Sequence, residues 1–213
     1  MKKNIIFDFD GTLANTLPVI FSVINILAPQ IGIQELTWGE FCELRSLSYI
    51  ELLKKYYRII SHLPEIIPKA HKEMKAFMGE VTPFDDIITL LISLQKMGLR
   101  LGVLSSNAKE NIDIFMQKYN GDMFDFIYSE KNFFGKDKAL SNLIKLYSLR
   151  KEETIYVGDE TRDIEACKKI GVDIISVTWG FNSKESLLVH KPTYLVDTVS
   201  GILSTIQHIN NNK

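Results

Sequence analysis

Two aspartates, Asp8 and Asp10, stand two residues apart at the end of the apolar run NIIFDF and are followed at once by Gly11 and Thr12. If the run is a strand, side chains at i and i+2 share a face. Both carboxylates can then point into the crevice beyond the strand's carboxyl end, where open α/β sheets bind ligands. Neighbouring carboxylates in an apolar strand repel each other and resist desolvation, and a cation beside them offsets both penalties. Gly11 allows a sharp turn and lets backbone N–H groups approach an anion. The plainer reading is a solvated Asp-Gly turn. The signature D-x-D-G-T is expected by chance roughly once in several hundred chains of this length, which tips the balance toward a cation site.

Three later segments carry matching chemistry. Ser105, Ser106 and Asn107 close the run LRLGVLS just ahead of a helical pattern. A hydroxyl and backbone N–H groups at a helix N-terminus make an anion site, although capping alone explains the same residues. FFGKDKAL places Lys136 and Lys138 at the start of a helix. A lysine there opposes the helix dipole, which invites a further purpose; a solvated loop lysine is the alternative. TIYVGDETRD brings Asp159, Glu160 and Asp163 to a strand end and the helix turn after it. The dipole favours an acidic first turn but accounts for one carboxylate more easily than three. Asp8, Asp10 and Asp159 together suit a hard cation with oxygen ligands, Mg²⁺, while Ser105 and Lys136 can hold the oxygens of an anion. No His/Cys cluster has zinc spacing, and no Walker glycine loop occurs.

The elements that must position these residues are legible as alternating patterns. Residues 4–9, 99–105, 124–129, 154–158, 173–179 and 194–196 read as strands, most of them continuously apolar as in a sheet buried on both faces. Between them, Ile87, Leu90, Leu91 and Leu94 form one helical stripe, Ile112, Phe115 and Met116 a second, and Ala139, Leu140, Leu143 and Ile144 a third. Ile164, Ala166, Cys167 and Ile170 form a fourth, with Gly171 as its C-cap. Strand alternating with helix predicts an α/β, doubly wound, mainly parallel, Rossmann-like sheet. Residues 16–80 break the alternation. They carry helical patterns at Val19 to Leu27, after Ser48 (with Glu51, a capping box) and from Pro68 to Met78. The predicted division is therefore a catalytic core of residues 1–15 and 81–213 with an inserted α-helical cap domain, residues 16–80.

Composition closes off other classes. The 213 residues hold 25 basic and 26 acidic side chains, a net charge of −1, which excludes a protein that coats nucleic acid by bulk charge. With 46% apolar residues the chain is not a disordered acidic one. Two cysteines, Cys42 and Cys167, make no disulfide scaffold. Asp8 and Asp10 interrupt the apolar start too early for a signal peptide, and Pro18 to Leu27 is too short to span a bilayer. The expectation is a cytoplasmic protein, monomer or homodimer, with no nucleic-acid or membrane partner.

At this point the chain resembles the haloacid dehalogenase superfamily, in its phosphatase branch with a helical cap. FDFDGTLANT is similar to that family's first motif, LGVLSSN to its second, GKDKAL to its third and VGDETRD to its fourth. VTPFDDI and VTWGFNS are similar to segments of phosphoglycolate-phosphatase-like members. The resemblance implies a phosphatase acting on a small phosphorylated molecule through an aspartyl-phosphate. Asp8 would be the nucleophile and Asp10 the general acid and then base. Mg²⁺ would be held by Asp8, the Asp10 carbonyl and Asp159, with Asp163 in support. Ser105 and Lys136 would bind the phosphoryl group, and Gly11, Thr12 and Ser106 would add contacts. The usual third motif reads Lys-Pro; here Lys136 is preferred, with Lys138 as runner-up. A sugar phosphomutase of the β-phosphoglucomutase type uses the same four motifs and is the alternative.

Substrate choice should lie with the cap. There LRSLSYIELL resembles an Arg-containing segment of related caps, but with Leu47 and Ser48 where relatives often have glycine. Arg45, His62, Lys69 and His71 could meet a substrate or be plain surface, and Trp38, Tyr49, Tyr56 and Tyr57 read as cap core. Hinges are expected near residues 15–16 and 79–82.

Overall fold

The apolar runs become strands buried on both faces, as a parallel sheet requires. The computed structural model describes residues 1–47, 51, 54, 63–119, 121–130 and 135–212. Its strands are β1 (Asn4–Phe7), β2 (Arg100–Ser105), β3 (Phe126–Ser129), β4 (Thr154–Gly158), β5 (Asp173–Val177) and β6 (Tyr194–Val196). All pairings are parallel, in the order β3-β2-β1-β4-β5-β6. The order reverses between β1 and β4, so a crevice opens between their carboxyl ends. Several strands are shorter than the runs that announced them. β1 stops at Phe7 because the chain turns directly after it, with the N–H groups of Leu13 and Ala14 donating to the Phe9 carbonyl at 3.0 Å.

Between β1 and β2 lie α1 (Leu17–Leu27), α2 (Trp38–Leu44), α3 (Leu63–Phe77) and α4 (Ile87–Lys96). Among the described residues one α-helix follows each later strand: α5 (Lys109–Lys118), α6 (Lys136–Leu146), α7 (Thr161–Ile170), α8 (Lys184–Val189) and α9 (Val199–Asn211). The two-residue alternation of the strands sorts side chains into two cores. Ile5, Phe7, Leu101, Val103, Ile155 and Val157 pack with α4, α5 and α9. Ile6, Leu104, Tyr156 and Ile174 pack with α6 and α7. Gly171 ends α7 in the left-handed region, φ +75°, with its N–H on the Cys167 carbonyl at 2.9 Å, as a C-terminal glycine does.

Residues 16–80 contain no strand among the described residues. α2 opens on a capping box between Thr37 and Glu40. Its buried centre is Phe41; Trp38, expected in this core, lies across it 49% exposed, 5.4 Å away between ring centroids. α3 starts at Leu63 and not at Pro68. Pro68 lies inside the helix, which runs through it with one ladder bond forgone. Ser48, Tyr49, Tyr56, Tyr57 and His62 lie outside the described residues. The two connections to the sheet run side by side: the Asn15 N–H donates to the Thr82 carbonyl at 2.9 Å, and Ala14 bridges Pro83. No helix of the described residues is long and apolar enough to cross a membrane.

Candidate active site

The register of the sheet sets three acidic residues against one lysine. β1 pairs Phe7 with Val157 of β4, so Asp8 emerges level with the end of β4, next to Asp159. Asp8 has the parity of Ile6 and leans toward the α6/α7 side. There α6 begins with Lys136 and the first turn of α7 carries Asp163. Oxygens of Asp8, Asp159 and Asp163 lie within 4.8 Å of one another, and all three residues are buried. Lys136 Nζ is 2.6 Å from Asp8 Oδ2 and 3.0 Å from Asp163 Oδ1. Lys136 is itself buried, whereas Lys138 is exposed, so Lys136 is the lysine that enters the site.

Each carboxylate is fixed by further bonds. The Phe9 N–H donates to Asp8 Oδ1 at 2.8 Å. The Thr12 hydroxyl donates to Asp159 Oδ1 at 2.6 Å and the Phe181 N–H to Asp159 Oδ2 at 2.6 Å. Asp163 Oδ2 accepts from the Glu160 N–H at 3.2 Å, which closes a capping box at the start of α7. Backbone comes so close that side chains are excluded. At Gly11, with φ +75°, and at Gly180, a Cβ would run into the Asp159 carboxylate.

Asp10 lies beside this cluster, near enough to feel the charges of Lys136 and Glu160. It stands three residues past the end of β1, and its Oδ1 accepts from Asn107 Nδ2 at 3.1 Å, beyond the end of β2. Its carboxylate is not a member of the acidic cluster. Ser105 is buried at the end of β2, its oxygen accepting from the Asn107 N–H at 3.0 Å. Gly11 and Thr12, which the resemblance places against a phosphoryl group, are engaged with protein: the Gly11 N–H donates to the Ala14 carbonyl at 3.0 Å, and the Thr12 hydroxyl is spent on Asp159. Ser106 is half-buried, with Arg162 Nη2 at 3.5 Å from its hydroxyl.

Burial and like charge dominate the electrostatics. Burial pushes the Asp8 carboxyl up to about 7, against the pull of Lys136 and with the charge of Asp163 adding to the rise. Asp159 is raised well above the ordinary carboxylate range by burial and by Glu160, Asp8 and Asp163. Desolvation lifts Asp10 to about 6 while the Thr16 hydroxyl and then the Asn107 amide draw it down. Burial works against the charged form of Lys136, but Asp163 and Asp8 outweigh it and its pKa is raised. An all-oxygen cluster in which burial and crowding hold Asp8 and Asp159 toward neutrality is a fit for a small hard cation.

Sequence reasoning missed four contributors. Arg162 grips Glu160 in a bidentate pair, 2.7 Å for each bond. Asn182 accepts from the Thr161 N–H at 2.8 Å and donates to the carbonyls of Arg45 and Leu47. Gly180 and Phe181 wall the site behind Asp159. Arg45, read as a possible substrate contact, donates from Nε to the Phe181 carbonyl at 3.0 Å and from Nη2 to that of Gly180 at 2.8 Å. It ties residues 16–80 to the loop that seats Asp159. Lys69 is exposed and His71 half-buried on α3.

Comparison with known proteins agrees with this geometry. The sequence profile described as haloacid dehalogenase-like hydrolase matches residues 5–177. A phosphoglycolate phosphatase of Synechococcus elongatus is 31% identical over 96% of this chain and 97% of its own length. The pyrophosphatase PpaX of Bacillus mycoides is 23% identical over 99% of this chain and 100% of its own. Among solved structures, a hydrolase of the haloacid dehalogenase-like family from Streptococcus pneumoniae superposes with a TM-score of 0.80 at 20% identity, over 96% of this chain and 98% of that one. CbbY of Rhodobacter sphaeroides, solved with phosphate, superposes with a TM-score of 0.73 at 19% identity, over 93% of this chain and 95% of that one. At such identities these structures speak for the fold.

Proposed function

The chain belongs to the haloacid dehalogenase-like hydrolase family, and from that premise we propose that it is a Mg²⁺-dependent phosphatase that cleaves a small phosphomonoester through a phosphorylated Asp8. The observation that carries the reading is the buried meeting of Asp8, Asp159 and Asp163 with Lys136 at the carboxyl ends of β1 and β4. The relative that is a phosphoglycolate phosphatase, alike over nearly its whole length, makes phosphoglycolate the first substrate to test.

In this reading Asp8 Oδ attacks phosphorus, the bond to the leaving oxygen breaks, and Asp10 gives that oxygen its proton. Water then adds to phosphorus, Asp10 takes a proton back, and the bond to Asp8 breaks. Lys136 and Ser105 hold phosphoryl oxygens. Lys136 lowers the repulsion between a carboxylate nucleophile and an anionic phosphate. The covalent intermediate divides one displacement into two. Asp8, the Asp10 carbonyl and Asp159, with Asp163 beside them, are the groups that would hold Mg²⁺. When bound, the ion supplies Lewis-acid stabilisation of the phosphoryl charge. Residues 16–80 serve as a cap that shields the site from water, hinged where Asn15 and Thr82 meet.

A panel of phosphoglycolate, sugar phosphates, nucleotides and an aryl phosphate, assayed with and without Mg²⁺, tests this reading. Mg²⁺-dependent release of phosphate that disappears in Asp8→Asn supports it. Release that survives the substitution refutes it. Recovery of the phosphate on another carbon of the substrate would replace it with a mutase.

A further inference from the structure

A chain of side-chain amides leads from the helical segment 16–80 to Asp10. Asn111, in the first turn of α5, is 1% exposed. Its Nδ2 donates twice, to the His71 carbonyl on α3 at 3.0 Å and to Asn107 Oδ1 at 2.9 Å. Asn107 Nδ2 in turn donates to Asp10 Oδ1 at 3.1 Å.

The polarity of this chain is fixed. The Ala108 N–H, which can only donate, sits 2.8 Å from Asn107 Oδ1, so that end of the amide must be oxygen and the other end, facing Asp10, nitrogen. Asn111 then lies between two acceptors, the His71 carbonyl and Asn107 Oδ1, and must present nitrogen to both. No other assignment leaves the three amide contacts bonded. Asn111 is therefore the residue whose bonds involve α3 and the holder of Asp10 at once. A cavity of about 460 Å³ opens beside the contact, lined among others by His71, Lys72 and Lys75 of α3 and by Ala108 and Asn111.

We propose that Asn111 is a positioning residue: it holds the Asn107 amide, and through it the Asp10 carboxyl, in the orientation that serves the leaving oxygen, and it does so in register with the cap helix α3. The proposal rests on the reading of Asp10 as general acid. When α3 is docked, both protons of the Asn111 amide are used. When α3 moves away, one loses its acceptor, and the amide that braces the Asn107–Asp10 pair is held at one end only. Acid assistance is thus strongest with the cap in place.

The test compares two esters of similar shape, phenyl phosphate and p-nitrophenyl phosphate. The first leaves as a poorly stabilised phenolate and needs a proton; the second needs one far less. The ratio of their kcat/KM values is independent of the fraction of folded enzyme, so partial unfolding cannot imitate the effect. Asn111→Ala is expected to lower kcat/KM for phenyl phosphate about tenfold more than for p-nitrophenyl phosphate, the scale of one lost hydrogen bond. Asp10→Asn should show the same selectivity, larger. If Asn111→Ala does not fold, Asn111→Asp, the same shape without the donors, is read in the same way. Equal losses on both esters in the Asn111 variants, with Asp10→Asn still selective, overturn the proposal and leave the reading of Asp10 standing. Equal losses in Asp10→Asn overturn both.

Discussion

Lys136 and Asp8 form a buried ion pair, Nζ to Oδ2 at 2.6 Å, and the same amine lies 3.0 Å from Asp163. One cation is shared by two buried carboxylates, and burial alone would neutralise Asp8. Removing it leaves acidic groups without compensation. Lys136→Met is expected to lower turnover by about 10²–10³-fold, the scale of one lost electrostatic contact to a transition state. It should also destabilise the protein by about 3 kcal/mol or more. Steady-state kinetics and thermal melting check both; a variant with normal stability and turnover would remove Lys136 from the account.

The raised acidities predict how metal and proton compete. Asp8 titrates near 7 in the folded protein against an ordinary value of 3.8, and Asp159 is raised as well. Between roughly pH 4 and 7 the folded protein keeps protons that the unfolded chain has already released, so stability without metal falls as pH rises through this window. A bound cation must expel those protons, so its affinity rises with pH. The rise in melting temperature on adding Mg²⁺ should therefore grow between about pH 5.5 and 7.5, reaching about 5–10 °C at a hundredfold excess over the dissociation constant. A shift that is constant or shrinks over this range contradicts the assignment of the cluster as the metal site.

Two glycines separate steric from conformational effects. A Cβ at Gly180 would meet the Asp159 carboxylate, whereas one at Gly171 would meet nothing within 4 Å but would sit at φ +75°. Gly180→Ala is expected to abolish most of the Mg²⁺-induced stabilisation. Gly171→Ala should cost about 1 kcal/mol of stability and leave the Mg²⁺ response intact. Differential scanning fluorimetry of both variants, with and without Mg²⁺, reads the two effects separately.

The sequence made the sheet legible because its strands are apolar on both faces and end in residues that strands dislike. Asp8, Asp159 and Lys136 were found through that punctuation. The face-sharing argument for Asp8 and Asp10 rests on a strand that stops at Phe7; Asp10, three residues beyond, is placed by the turn, where its carboxylate meets Asn107. Asn111, and the part Asn107 plays beyond the capping read for it, were hidden for a different reason. Their amides matter through bonds to residues up to 97 positions away, and nothing local marks an asparagine beside Ile112 on a helical stripe as more than a polar interruption. Arg45, Gly180 and Asn182 are of the same kind: their partners are carbonyls and a carboxylate brought near only by the fold.

The central claim is that Asp8 becomes phosphorylated. Acid quenching during steady turnover of phosphoglycolate with Mg²⁺, followed by digestion and mass spectrometry, tests it most directly. The account predicts one phosphoryl group on the peptide that contains Asp8, absent without Mg²⁺ and absent in Asp8→Asn. A phosphoryl group carried by any other side chain, or the same label in Asp8→Asn, would contradict it.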